Sequence, residues 1–194
     1  MTSELSNPER LILALDSGLN HEVSLVLYGR ASLSLGFEGA PMEFGATQDV
    51  DVIIPLIALD RMVNDGQFWD ARDAVNEKFK DEGLYITHLF QEDQVFLRPD
   101  WEAHVVPVTR PATRWLKLAR PHTVDLILTK MMRGDDAQDM QDVAFLVRRD
   151  GITAARMEPA FETVRIPDVI ELHDAFQKAL PVVRDILRRG GRPE

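Results

Sequence analysis

The run Asp49-Val-Asp-Val-Ile-Ile-Pro55 constrains the fold of this chain more than any other segment. Carboxylates alternate with β-branched residues at a period of two, and residues two apart on a strand share a face. The run is therefore expected to be a strand with one functional face, carrying Asp49 and Asp51, and one apolar face that must be covered. Upstream, Val23–Tyr28 (VSLVLY) is a second β-favouring run that stops at Gly29. A short helix is expected after Gly29, and residues 37–47, rich in glycine and holding Pro41, read as a loop.

The rest of the chain divides by pattern. Asn7-Pro8 reads as an N-cap followed by a first-turn proline, opening an amphipathic helix to about Leu19. Helices are expected around Leu56–Asn64 and Phe68–Lys80, and short strands at Leu84–Phe90, Val95–Arg98, His104–Val108 and Trp115–Leu118. From His122 onward only helical spacing remains: Val124, Ile127, Leu128 and Met131, then Met140, Val143, Ala144 and Val147. Arg133-Gly134-Asp135-Asp136 fits a glycine C-cap followed by an aspartate N-cap, so these two helices form a hairpin. Pro167 and Pro181 each suit the first turn of a helix and divide the tail into two pieces. The expected fold class is α/β (α+β), a small mixed sheet flanked by helices with a C-terminal helical region. Residues 1–120 form the sheet-containing core and 121–194 the helical region, together one compact domain.

Composition narrows the function classes. The chain has 194 residues, enough to bury roughly 70% of its unfolded surface without disulfides or a structural metal. With no cysteine, thiolate zinc sites and cysteine nucleophiles are excluded. A net charge of −10 disfavours non-specific binding to phosphate backbones. Basic residues nevertheless gather at Arg110, Arg114, Lys117 and Arg120, as a local patch or as a solvated charged face. No stretch approaches the ~20 apolar residues that span a bilayer. MTSELSNPER has neither a basic start nor an apolar run of signal-peptide length, so no membrane partner and a cytoplasmic location are expected.

Two carboxylates converging on one strand face repel, and a cation between them is a usual remedy. Magnesium favours such oxygen ligands, with one or two protein carboxylates completed by water and substrate phosphates. Gly29 lets a backbone approach a phosphate closely, at the N-terminus of the helix that follows. The stretch LVLYGRASLSLGFEGAPMEFGATQDVDVIIP, from Leu25 to Pro55, resembles the nucleotidyltransferase superfamily that includes polymerase β: a strand, a glycine with a small partner, then an Asp-x-Asp strand. Asp125-Leu-Ile-Leu-Thr-Lys130-Met-Met-Arg133 and the following Asp139-Met-Gln-Asp142-Val143 look like the helical half of small prokaryotic relatives, among them toxins of the abortive-infection type. The resemblance spans roughly residues 23–147.

That resemblance implies a nucleotidyltransferase-type fold and a metal-dependent transfer of a nucleotide from a nucleoside triphosphate to a hydroxyl on a protein or RNA. A toxin–antitoxin or defence role, with a cognate antitoxin as partner, is implied in the same way. Asp49 and Asp51 would be the catalytic pair and magnesium ligands, facing the main cleft. Gly29, Arg30 and Ser32 would approach the phosphates, and Lys130 and Arg133 would face the nucleotide. Three features depart from the family pattern. Gly29-Arg30 replaces Gly-Gly or Gly-Ser, so that Arg30 either grips a phosphate or plugs the loop. The Gly29–Asp49 segment is longer than in the compact signature. No third carboxylate announces itself; Glu92, Asp93 and Glu102 are candidates, and Glu92 is the favoured third metal ligand. Lys130 and Arg133 also have a structural reading, pairing with Asp139 or Asp142 across the hairpin. A catalytically degenerate module that binds a nucleotide or a protein partner is the alternative function.

Overall fold

The first helix shows how locally the chain is specified. In the computed structural model, which describes residues 5–192 and all of their side chains except that of His88, α1 spans Asn7–Ser17. Its N-cap is Ser6 rather than Asn7: the Ser6 side chain accepts from the Glu9 amide, and Glu9 Oε2 accepts from the Ser6 amide at 2.8 Å. This reciprocal box satisfies two otherwise orphaned donors, which Asn7 cannot do because no glutamate lies three residues beyond it.

Strand β1 (Val23–Tyr28) runs into α2 (Gly29–Gly36), a loop with one 3₁₀ turn (Met42–Ala46), and β2 (Asp49–Ile54). Helices α3 (Leu56–Val63) and α4 (Gly66–Phe79) lead to β3 (Tyr85–Gln91), and β4 (Val106–Val108) and β5 (Leu116–Arg120) complete the sheet. The order is β3-β2-β1-β5-β4. β2–β3 and β1–β5 are parallel, whereas β1–β2 and β4–β5 are antiparallel, so the sheet is mixed as expected. One sheet face, with Leu25, Leu27, Val50, Val52, Ile86 and Leu118, packs with Leu11, Ile12 and Leu15 of α1 and Phe68, Val75 and Phe79 of α4. Each such side chain, fully buried, contributes about 1.5–3 kcal/mol.

Both edges of the sheet are protected. β4 carries Pro107, and proline is tolerated only where no ladder donor is needed. On β3, the Asn76 side chain of α4 donates to the Ile86 carbonyl at 3.0 Å and accepts from its amide at 2.8 Å. At the start of β5, the Asp16 carboxylate takes the amides of Arg114, Trp115 and Leu116 at 2.8–2.9 Å. Partial burial pushes the Asp16 carboxyl upward, but these amides outweigh it and hold it below its ordinary range.

The chain divides into two compact units. One holds the segment up to Gln91 together with Val105–Arg120, and the other holds Glu92–His104 and everything from Pro121 onward. The second unit contains α5 (Thr123–Lys130), α6 (Ala137–Asp150), α7 (Ala154–Thr163) and α8 (Ile170–Arg188). All eight residues of α5 are buried, including Asp125 and Lys130. A helix buried all round must pair its polar groups internally. Asp125, fully buried, accepts from the Arg98 amide at 3.0 Å, Nε at 3.1 Å and Nη2 at 2.7 Å. That fork ties the 92–104 segment to α5. Phe176 of α8 lies edge-on to both Phe96 and Phe161, with centroids 6.0 and 6.3 Å away.

The tail differs from the sequence reading. Pro167 precedes α8 by three residues, and Pro181 lies inside it rather than at a start. Pro181 and Gln177, whose carbonyl loses its amide partner to the proline, are both exposed, so water can satisfy the freed carbonyl and the helix continues. The Val95–Arg98 segment forms no strand; Leu97 makes a single bridge to Arg165. Trp101–His104 is a 3₁₀ turn, and β4 begins only at Val106. Among the described residues no helix is long and apolar enough to cross a membrane.

Candidate functional site

The site grows from the strand pair β1–β2. Tyr28 pairs across the ladder with Asp51, and Leu27 with Val52. Val50, Val52 and Ile54 point into the core, so Asp49 and Asp51 share the other face, each half-buried. Thr47 Oγ1 donates to Asp49 Oδ1 at 2.8 Å, and Thr87 Oγ1 donates to Asp51 Oδ1 at 2.7 Å. Charge-assisted bonds of this kind fix a carboxylate more firmly than a neutral pair would. The Thr87 bond crosses a ladder irregularity: Val50 pairs with Ile86 but Val52 with Leu89, so β3 carries one extra residue opposite Asp51.

Gly29 has φ +65°, in the left-handed region, and a Cβ placed on it would lie 3.0 Å from Asp51 Oδ2. Glycine is required there twice over, by the backbone angle and by the carboxylate. The Tyr28 ring meets Phe90 edge-on at 5.6 Å. Burial, and then the charges of Asp51 and Asp49, push the Tyr28 hydroxyl well above its ordinary range, so it stays protonated.

The other sequence-derived residues fall in different surroundings. Arg30 is half-buried with its guanidinium over the Phe44 ring, 5.4 Å from the centroid. Ser32 is fully buried and donates to the Gly29 carbonyl at 2.8 Å, so it braces the first turn of α2 instead of meeting a phosphate. A groove of about 1000 Å³ in this unit is lined by Ser6, Arg10, Ser34, Met42 and Arg110 among others. Asp49 and Asp51 are not part of its lining. The basic cluster around β5 does not act as one patch. Arg120 is buried against Phe37 at 3.9 Å, Lys117 faces Glu22 at 3.6 Å and Arg114 covers Trp115 at 4.7 Å.

Lys130, Arg133 and Glu92 belong to the second unit. Lys130 Nζ lies 3.0 Å from Asp139 Oδ1 and 2.7 Å from Asp142 Oδ2, and all three side chains are less than a tenth exposed. Arg133, half-exposed, adds Nε to Asp139 Oδ2 at 2.6 Å and Nη2 to Asp136 at 3.2 Å. The hairpin pairing is thus realised, and the Lys130 charge is balanced inside the helical unit. Glu92 is buried, 3.3 Å from Arg165, and shares a hydrogen bond with Glu102. Burial first, and then the charge and hydrogen bond of Glu92, push the Glu102 carboxyl upward. Glu92 therefore works in a carboxyl pair of its own unit.

Two carboxylates on one face, each turned by a threonine hydroxyl, form a hard oxygen donor set suited to magnesium. Among the described residues no group of three or more His, Cys, Asp or Glu is placed to hold a metal. A magnesium site that takes its remaining ligands from water and phosphate needs no third protein carboxylate. Thr47 and Thr87 escape the sequence reading. Thr47 stands two residues before Asp49 and is legible in principle, whereas Thr87 reaches Asp51 from 36 residues away. No protein-family model, curated protein or solved structure matches the chain.

Proposed function

We propose that the chain is a metal-dependent nucleotidyltransferase that moves a nucleotide from a nucleoside triphosphate to a hydroxyl on a protein or RNA. The observation that carries this reading is the Asp49–Asp51 face, with a threonine hydroxyl on each carboxylate and a Cβ-free Gly29 against Asp51 Oδ2. Asp49 and Asp51 would hold magnesium, which when bound offsets negative charge on the triphosphate and on the reacting oxygens. Gly29 leaves its backbone accessible, and the amides opening α2 point the same way as the helix dipole, toward an anion. Arg30, in the first turn of α2, adds a cation beside them. Tyr28 remains a hydrogen-bond donor on the aspartate face. A toxin–antitoxin or defence setting, with a cognate antitoxin, extends this reading on the strength of the family resemblance alone.

A second reading has its own support. Lys130, which the resemblance assigns to the triphosphate, is neutralised by Asp139 and Asp142, and Glu92 is taken by Arg165 and Glu102. A module that binds a nucleotide or a partner without catalysis would tolerate both. Calorimetry with ATP, GTP, CTP and UTP, with and without magnesium, separates the two. Magnesium-dependent binding that disappears in Asp49→Ala supports the transferase, whereas binding indifferent to both metal and Asp49 supports the module.

A further inference from the structure

The geometry points to Thr87 as a positioning residue for the Asp51 carboxylate, set opposite it by the parallel register of β2 with β3. This inference rests on the proposed metal site and adds a residue to it. Asp49 pairs with Tyr85 and Val50 with Ile86, so the same register puts Thr87 opposite Asp51, and the extra residue of β3 falls between Thr87 and Leu89. The Thr87 hydroxyl lies 2.7 Å from Asp51 Oδ1.

The two oxygens of Asp51 are thereby set apart. Oδ1 carries the threonine, and Oδ2 is turned to the side where Gly29 has no Cβ, the side on which β1 passes into α2. Without the hydroxyl the carboxylate could rotate about its terminal bond, because that torsion is broad and intrinsically soft. The strand that supplies Thr87 is itself fixed. β3 lies at the sheet edge, and the Asn76 amide grips both the N–H and the C=O of Ile86, the residue just before the irregularity. A helix side chain and an edge strand thus converge on one carboxylate oxygen. Partners that orient a metal ligand typically change metal affinity 10–100-fold when lost.

Mn²⁺, followed by electron paramagnetic resonance, is the probe, with the full chain in four forms: wild type, Asp51→Asn, Thr87→Val and Thr87→Ser. Thermal denaturation of each form runs alongside. Asp51→Asn should abolish specific Mn²⁺ binding. Thr87→Val, which keeps the shape and loses the hydroxyl, should weaken it by about tenfold or more. Thr87→Ser should bind nearly as wild type, because the hydroxyl is restored. If wild type and Thr87→Val bind Mn²⁺ equally while Asp51→Asn does not, the positioning role is overturned and the metal site stands. A Thr87→Val variant that loses thermal stability but no Mn²⁺ affinity overturns the positioning role in the same way. If the wild type takes up no Mn²⁺, the metal site and the positioning role fall together.

Discussion

Replacing Lys130 by methionine tests whether this lysine is a structural counter-charge. The perturbation keeps most of the side-chain volume and removes the ammonium that bridges Asp139 and Asp142 at 3.0 and 2.7 Å. Both carboxylates are at most a twentieth exposed, so water cannot replace the lost cation. Removing one member of a buried charge cluster costs about 3–5 kcal/mol, against less than about 1 kcal/mol for an exposed pair. For a chain of this length that corresponds to a fall in Tm of roughly 6–20 °C. Urea denaturation followed by far-ultraviolet circular dichroism measures it. The double variant Lys130→Met/Asp142→Leu should recover at least half of the loss, since Asp139 keeps its bond to Arg133 and the stranded carboxylate is gone. Acid sensitivity should change as well. Burial raises the Asp139 carboxyl, but the Arg133 hydrogen bond and then the Lys130 charge hold it below 3.8. Its stabilisation is therefore complete above pH 3.8 and lost as pH falls through the lower folded value. Without Lys130 the loss should begin at higher pH. A single variant within about 1 kcal/mol of wild type, with an unchanged acid limb, would refute the reasoning.

Two further outcomes follow from the first unit. His21 Nε2 meets Asp65 at 2.7 Å and Nδ1 meets Gln67 at 2.8 Å, and the Asp65 hydrogen bond is the main reason the imidazole is held above 6.5. That stabilisation is present below pH 6.5 and lost as pH rises through the folded value, so Tm should fall more steeply on alkalinisation in wild type than in Asp65→Asn; equal slopes would contradict it. Gly29→Ala should cost about 1–2 kcal/mol in denaturation for its left-handed φ and should also weaken Mn²⁺ binding, because the new Cβ would lie 3.0 Å from Asp51 Oδ2. Gly39→Ala, with φ +71° and nothing within 4 Å, should show the backbone cost without the metal effect.

How much of the fold and the site is legible in the sequence depends on how far apart the cooperating residues lie. The Asp49–Ile54 strand, Val23–Tyr28 and the Gly134/Asp136 punctuation of the hairpin are period and cap signals held within a few residues, and the structure reproduces them. The pairing of Lys130 with Asp139 and Asp142 is legible as one of two options, because nine to twelve residues across a tight hairpin return to the same place. The misreadings share a cause, which is that local pattern carries no tertiary surroundings. Asn7 has the look of a cap, but the Ser6–Glu9 box takes that place, and Pro181 has the look of a helix start although its exposed position lets the helix pass through it. Ser32 reads as a phosphate contact because sequence carries no burial.

Alternation by itself determined that Asp49 and Asp51 share a face opposite an apolar one, since a strand has no other way to arrange the run. Composition by itself excluded cysteine chemistry and made non-specific binding to phosphate backbones unfavourable. Only tertiary structure decided that Thr87 would hold Asp51, because that contact depends on the parallel register of β2 with β3. Only tertiary structure placed Glu92 and Arg98 with the helices that follow β5 rather than with the sheet whose strands flank them in the chain. The reason is electrostatic: a fully buried Asp125 needs a cation, and Arg98, 27 residues earlier in the chain, is the one whose fork meets it.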